Sequence, residues 1–162
     1  MASLNNNHII KTINNGNIYR RSRKLNDLLE KTYDAEKGFK KAADNTEHPQ
    51  LKAFFESKSK QRYDFGHELK TEIKSFGQEI DKGDSVAGKA HRAWMDVKAL
   101  FSLDNEEAML EEAIRGEKSA IEEYDEVLGD TSLPSTTATI LRSQKEAIQN
   151  GLANIKMLED IK

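Results

Sequence analysis

The sequence predicts an all-α fold, with four long amphipathic helices packed as a bundle. Three observations carry that prediction. Apolar residues recur at steps of three and four along four separate stretches, the period of a helix that buries one face. Only two prolines occur in 162 residues, so little interrupts long helices. Charged residues make up 33% and hydrophobic ones 36%, a balance suited to thin helices with wide solvated faces. A chain of this length makes one domain that buries roughly 70% of its unfolded surface.

The chain opens with MASLNNNHIIKTINNGNIYR, rich in Asn, with an expected turn at Gly16. Residues 1–21 read as a mobile or loosely docked basic arm, and residues 22–162 as the bundle domain. Lys11, Arg20, Arg21, Arg23 and Lys24 give residues 1–24 a charge of +5 with no acid, and the net charge of −3 leaves −8 for the rest. Such an arm can tether to an anionic partner or membrane surface. Alternatively, Ile9, Ile10, Ile13 and Ile18 can cover part of the bundle. A remainder at −8 repels phosphate, which argues against general nucleic-acid binding.

The first expected helix runs from about Ser22 to Ala43, with the stripe Leu25, Leu29, Thr32, Glu36, Phe39, Ala43. His48-Pro49 starts the second, because proline is pre-organised for a first helical position. It ends at Gly77, and its stripe is Leu51, Phe55, Lys58, Arg62, Phe65, Leu69, Ile73, Phe76. The short link between the two makes them antiparallel neighbours. Residues 77–102 are too long for a hairpin and hold a short helix, about Ser85 to Leu100, carrying Trp94. The third helix runs from an Asp104 cap to Leu128 with the stripe Leu110, Ile114, Glu117, Ile121, Tyr124, Leu128. Pro134 opens the fourth, whose stripe is Leu141, Gln144, Ile148, Gly151, Ile155, Leu158. Two short hairpins joined by one long crossover is the connectivity of ferritin-like bundles.

Several function classes drop out. The chain has no cysteine, which excludes disulfides, thiolate metal sites and cysteine nucleophiles. No apolar run approaches the ~20 residues of a transmembrane segment. No signal-peptide core is present, so the expected location is cytoplasmic. No Gly-rich phosphate loop or Ser/His/Asp arrangement occurs, and no catalytic or cofactor-binding residue is assigned.

Each stripe is interrupted near its middle, by Glu36, Arg62, Glu117 and Gln144, with Lys58 as a further interruption. Counting from the hairpin turns puts them at similar depth, so one polar layer is expected at mid-bundle. Unpaired charges there would each cost several kcal/mol, so they need partners or a ligand. A bundle that holds two iron or manganese ions takes one Glu from each of two helices and Glu-x-x-His from each of the others. Glu36 and Glu117 fit the single-Glu places and Asp64 is a third candidate ligand. Yet the paired places read Gln61-x-x-Asp64 and Gln144-x-x-Ala147, with no histidine. The favoured reading is therefore internal pairing, in which Arg62 bridges Glu36 and Glu117, with no cofactor; iron or manganese is the alternative. Gly38, Gly66, Gly116 and Gly151 lie inside expected helices, where they allow close helix approach or leave room for a ligand.

The segments LNDLLEKTYDAEKGFKKAA, HPQLKAFFESKSKQRYDFGHEL, SVAGKAHRAWMDVKALF and LEEAIRGEKSAIEEYDEVL resemble a family of bacterial four-helix-bundle proteins. That family is a ferritin-like domain of unknown function, number two-three-eight-three. The resemblance covers about residues 24–160 and implies a ferritin-like fold without an established activity. The functional expectation is a non-enzymatic or vestigial bundle protein, stress-related in setting, acting through its surface or as a homo-oligomer.

Overall fold

Short turns decide which helices become neighbours. The computed structural model describes residues 3–77 and 106–160. They form four helices: α1 (Ser3–Asp44), α2 (Pro49–Ser75), α3 (Glu106–Leu128) and α4 (Ser135–Asp160). No strand occurs among the described residues. Pro49 stands in the first turn of α2, and His48 caps it by accepting from the Leu51 N–H at 3.5 Å. Just past the helix, Gly77 turns the chain with a φ of +68°, which favours glycine. α4 begins after Pro134, whose carbonyl accepts from the Ala138 N–H at 3.0 Å. Asp130 builds the turn before it. Its carboxylate accepts from the Ser132 hydroxyl at 2.6 Å and the Ser132 N–H at 3.0 Å, bonds that hold its carboxyl below the usual range.

Contacts between helices fix their directions. The Ser59 hydroxyl donates to the Glu36 carbonyl at 3.0 Å, across the α1–α2 hairpin. Lys24–Asp130 at 3.6 Å and Lys31–Glu123 at 3.0 Å align α1 antiparallel to α3. Thr137–Glu72 at 2.5 Å and Gln144–Phe65 carbonyl at 3.5 Å align α2 antiparallel to α4. α2 and α3 are therefore parallel across the bundle diagonal. Successive parallel helices need a connection as long as the bundle, which falls to residues 78–105. That stretch, including the expected helix at Ser85–Leu100, His91, Trp94 and the Asp104 cap, lies outside the described residues.

Two apolar clusters fill the interior. One gathers Phe39, Ala43, Leu51, Phe55, Met109, Leu110 and Ile155, and the other Leu25, Leu29, Leu69, Ile73, Tyr124, Leu141 and Ile148. The stripes of α2 from Leu51 to Ile73 and of α4 from Leu141 to Ile155 are buried as their spacing predicts, and Phe76 just past α2 is half-buried. On α3 the buried face is rotated slightly, onto Met109, Ala113, Glu117 and Val127, leaving Ile114, Ile121 and Leu128 half-buried.

α1 departs from expectation. It starts at Ser3, not near Ser22, and runs through Gly16 without a turn. A helix already nucleated in a bundle propagates easily, and no proline lies within α1 to stop it. Burial starts at Ser22 and Leu25, whereas Ile9, Ile10 and Tyr19 are exposed, so the first part of α1 extends past the bundle. Ile9 and Ile10 thus do not cover it. Ile18 does reach its end, lining a small cavity of about 80 Å³ with Leu25, Phe76 and Leu133.

Candidate functional site

Lys58 and Arg62 are one turn apart on the buried face of α2, so both aim their cations into the bundle. Arg62 is 2% exposed and its guanidinium lies 5.7 Å from the ring centres of both Phe39 and Phe65. Nη2 donates to Glu117 Oε1, and Nη1 donates to Gln61 Oε1 at 2.8 Å. Lys58 Nζ faces the other carboxylate oxygen, Glu117 Oε2, at 3.9 Å. That is an ion pair beyond hydrogen-bond length, and among the described residues Oε2 has no hydrogen bond. Burial pushes the Lys58 ammonium below its usual range; Glu117 opposes the shift and Arg62 adds to it.

Gly151 makes room for this lysine. A Cβ at Gly151 would stand 1.7 Å from Lys58 Nζ, so the ammonium occupies the place a side chain of α4 would take. One anion and two cations share the cluster, a surplus of one buried positive charge.

A second tier lies one layer along. The buried Tyr124 hydroxyl donates to Gln144 Oε1 at 2.7 Å. Gln144 Nε2 donates to the Phe65 carbonyl and to Glu68 Oε1, both at 3.5 Å. Burial pushes the Tyr124 hydroxyl well above its usual range, which keeps it a proton donor.

The interior polar residues therefore form two tiers, not one ring. Arg62 and Glu117 meet, and Gln144 joins Tyr124. Glu36 sits half-buried at the edge of α1's core face, and among the described residues its carboxylate has no ion pair or hydrogen bond. The expected Arg62–Glu36 bridge is replaced by Lys58 on Glu117. Asp64 is exposed and pairs with Lys60 at 3.0 Å. His67 is exposed beside the Tyr63 ring, and His8 is exposed on the extension of α1.

A two-metal centre does not fit these residues. Hard metal ions need free anionic oxygens, and both oxygens of Glu117 face cations of the chain. Asp64 is turned to water. Among the described residues no three of His, Asp and Glu are grouped to hold a metal ion.

A groove opens between α1 and α3. It encloses about 770 Å³, reaches inward to Glu117, and is edged by the acids Asp27, Glu30, Asp34, Glu112 and Glu123 together with Arg23, Lys31 and Arg115, so acids outnumber bases along it. Asp34 lies half-buried there, and its Oδ1 is buried with no hydrogen bond among the described residues. Burial lifts its carboxyl to about 6, with Glu30 and Glu123 adding and Lys37 opposing. Asp34 falls outside the apolar stripe, so periodicity could not single it out. Gly151 did leave a signal, a gap in an otherwise bulky stripe.

Residues 20–130 match the family described as Domain of unknown function (DUF2383), well over half of the chain. The chain belongs to this family. The DUF2383 match starts where α1 enters the bundle and stops before α4, short of the likeness to residue 160 expected from the sequence. It includes Lys58, Arg62 and Glu117; Gln144 and Gly151 lie beyond it. No match to this DUF2383 chain was found among curated proteins. Among the described residues no helix is long and apolar enough to cross a membrane.

Proposed function

We propose that this protein is a non-enzymatic ferritin-like bundle that works as an interaction module. One observation carries the reading: Lys58 and Arg62 each take one oxygen of Glu117. Two cations of the chain stand against a carboxylate that a two-metal bundle would use as a ligand. The carboxylate is neutralised from within, and Gly151 holds space for one of the two cations. Binding a metal would require both cations to leave a site whose members are 6% exposed or less. With its central carboxylate paired from within, the protein is left its surface to act with. The groove along α1 and α3 and the basic extension of α1 are the features that surface offers.

Metal analysis tests this reading. Protein purified from cells grown with added iron and manganese should hold far less than one ion per chain. Near two equivalents per chain, lost in Glu117→Gln, would overturn it in favour of a redox or metal-handling protein.

A further inference from the structure

One face of α1 carries charges that form no ion pair among the described residues. Ile9, Arg20, Asp27 and Asp34 follow one another at spacings of 11, 7 and 7 residues, which places them along one side of a helix. Arg23 and Glu30 join that side by steps of three and four. The stripe changes sign along its length: Arg20 and Arg23 come first, then Asp27, Glu30 and Asp34 along the groove. Among the described residues none of these five is in an ion pair, whereas Lys31, Glu112, Arg115 and Glu123, around the same groove, are all paired. The basic end also shows Ile9, Ile10 and Tyr19 to solvent, at 54%, 55% and 69% exposure. Isolated helical extensions in water do not normally hold such side chains uncovered in a row.

A stripe that is positive at one end and negative at the other is complementary to itself when one copy is rotated by half a turn. We infer that two copies of this chain associate through antiparallel α1 helices. Arg20 and Arg23 of each copy lie against Asp27 and Glu30 of the other. The basic extension then runs along the partner's acidic groove, and Ile9 and Ile10 pack on the far side of that crossing. The relation is two-fold, so every contact is made twice. In this register Arg20, opposite Glu30 of the other copy, is the basic side chain nearest that copy's half-buried Asp34. Gly16 carries no side chain and has open space about it, so the two helices can approach closely there. The inference rests on reading the protein as an interaction module and names the partner as a second copy.

The test uses the full chain and sedimentation or light scattering. Wild type should dimerise at low salt and dissociate as salt is raised, because exposed charges are screened beyond about 10 Å at 0.1 M. The pair Arg20→Glu and Arg23→Glu should weaken the dimer at least about tenfold, and so should Asp27→Arg with Glu30→Arg. Each altered chain then carries one sign at positions 20, 23, 27 and 30. Mixing the two should restore a dimer that contains one of each. That mixture also controls for folding, since a misfolded chain would not recover. A wild-type monomer at about 100 μM in low salt would overturn the inference. So would a dimer indifferent to both pairs of substitutions, or an extension that binds anionic vesicles while the protein stays monomeric. None of these outcomes bears on whether the interior holds metal, which metal analysis decides separately.

Discussion

The two seams between the hairpins solve the same packing problem in opposite ways. Where α2 meets α4, polar groups find partners on the facing helix: Thr136 and Thr137 bond to Glu72, and Gln144 bonds to Glu68 and a backbone carbonyl. Gly151 removes a side chain so that Lys58 can fill the space. Where α1 meets α3, Lys24–Asp130 and Lys31–Glu123 pair near the surface, while a groove of about 770 Å³ stays open behind them. Asp34 lies in that groove half-desolvated and unbonded. A seam closed by small residues and satisfied hydrogen bonds has little left to offer a partner. Unspent binding capacity collects where packing stops.

The largest way to break this contrast is to remove the anion that both buried cations share. Glu117→Gln leaves Lys58 and Arg62 side by side without a counter-charge. Losing one partner of a buried ion pair costs about 3–5 kcal/mol, which for a chain of this size lowers Tm by on the order of 10 °C. Urea unfolding of the variant and wild type measures it. A loss below about 1 kcal/mol would mean that water reaches the cluster.

A middle-sized effect compares two mid-helix glycines, one on an apolar stripe and one off it. Gly151→Ala drives a methyl group into Lys58 Nζ, so the flexible lysine must swing away from Glu117. Overpacking of this kind costs about 1–3 kcal/mol. Gly116 lies on the α1–α3 side, where a new Cβ would meet nothing within 4 Å. There an alanine should stabilise by about 0.5–1 kcal/mol, through the better helix propensity of Ala. Opposite signs for the two variants in thermal unfolding would support the assignment of one closed and one open seam. Equal destabilisation would remove it.

The bundle itself was legible because periodicity reports burial. The stripe of α2 predicted its buried face from Leu51 to Ile73, and the short turns predicted the hairpins. Arg62, Glu117 and Gln144 were legible as polar intrusions into those stripes. What each touches was not, since register between helices depends on side-chain volumes that no single stripe encodes. Glu36 illustrates this: it shares the spacing of α1's core residues, yet a small rotation of the helix leaves it at the edge. Asp34 shows the converse. A charged residue beside a stripe looks solvated, and only the neighbouring helix reveals that it is half-buried. The length of α1 was hidden for a third reason. Asn-rich sequence has weak helix preference, but propagation from a packed helix needs little.

The smallest effect sharpens the contrast by pH. Asp34's carboxyl is raised by burial from an ordinary 3.8 to about 6. In that window the folded chain holds a proton that the unfolded chain releases. Stability from the protonated group is therefore fully present below 3.8 and is lost as pH rises through about 6. Asp34→Asn keeps the shape and removes the titration. At a dilution where the chain is monomeric, the variant should match wild type near the acid end of the window and exceed it above the upper end. Denaturant midpoints across that range measure the difference. Parallel curves for the two proteins would show that Asp34 is fully hydrated, and the α1–α3 groove would then be an ordinary solvated face with nothing to draw in a cationic partner.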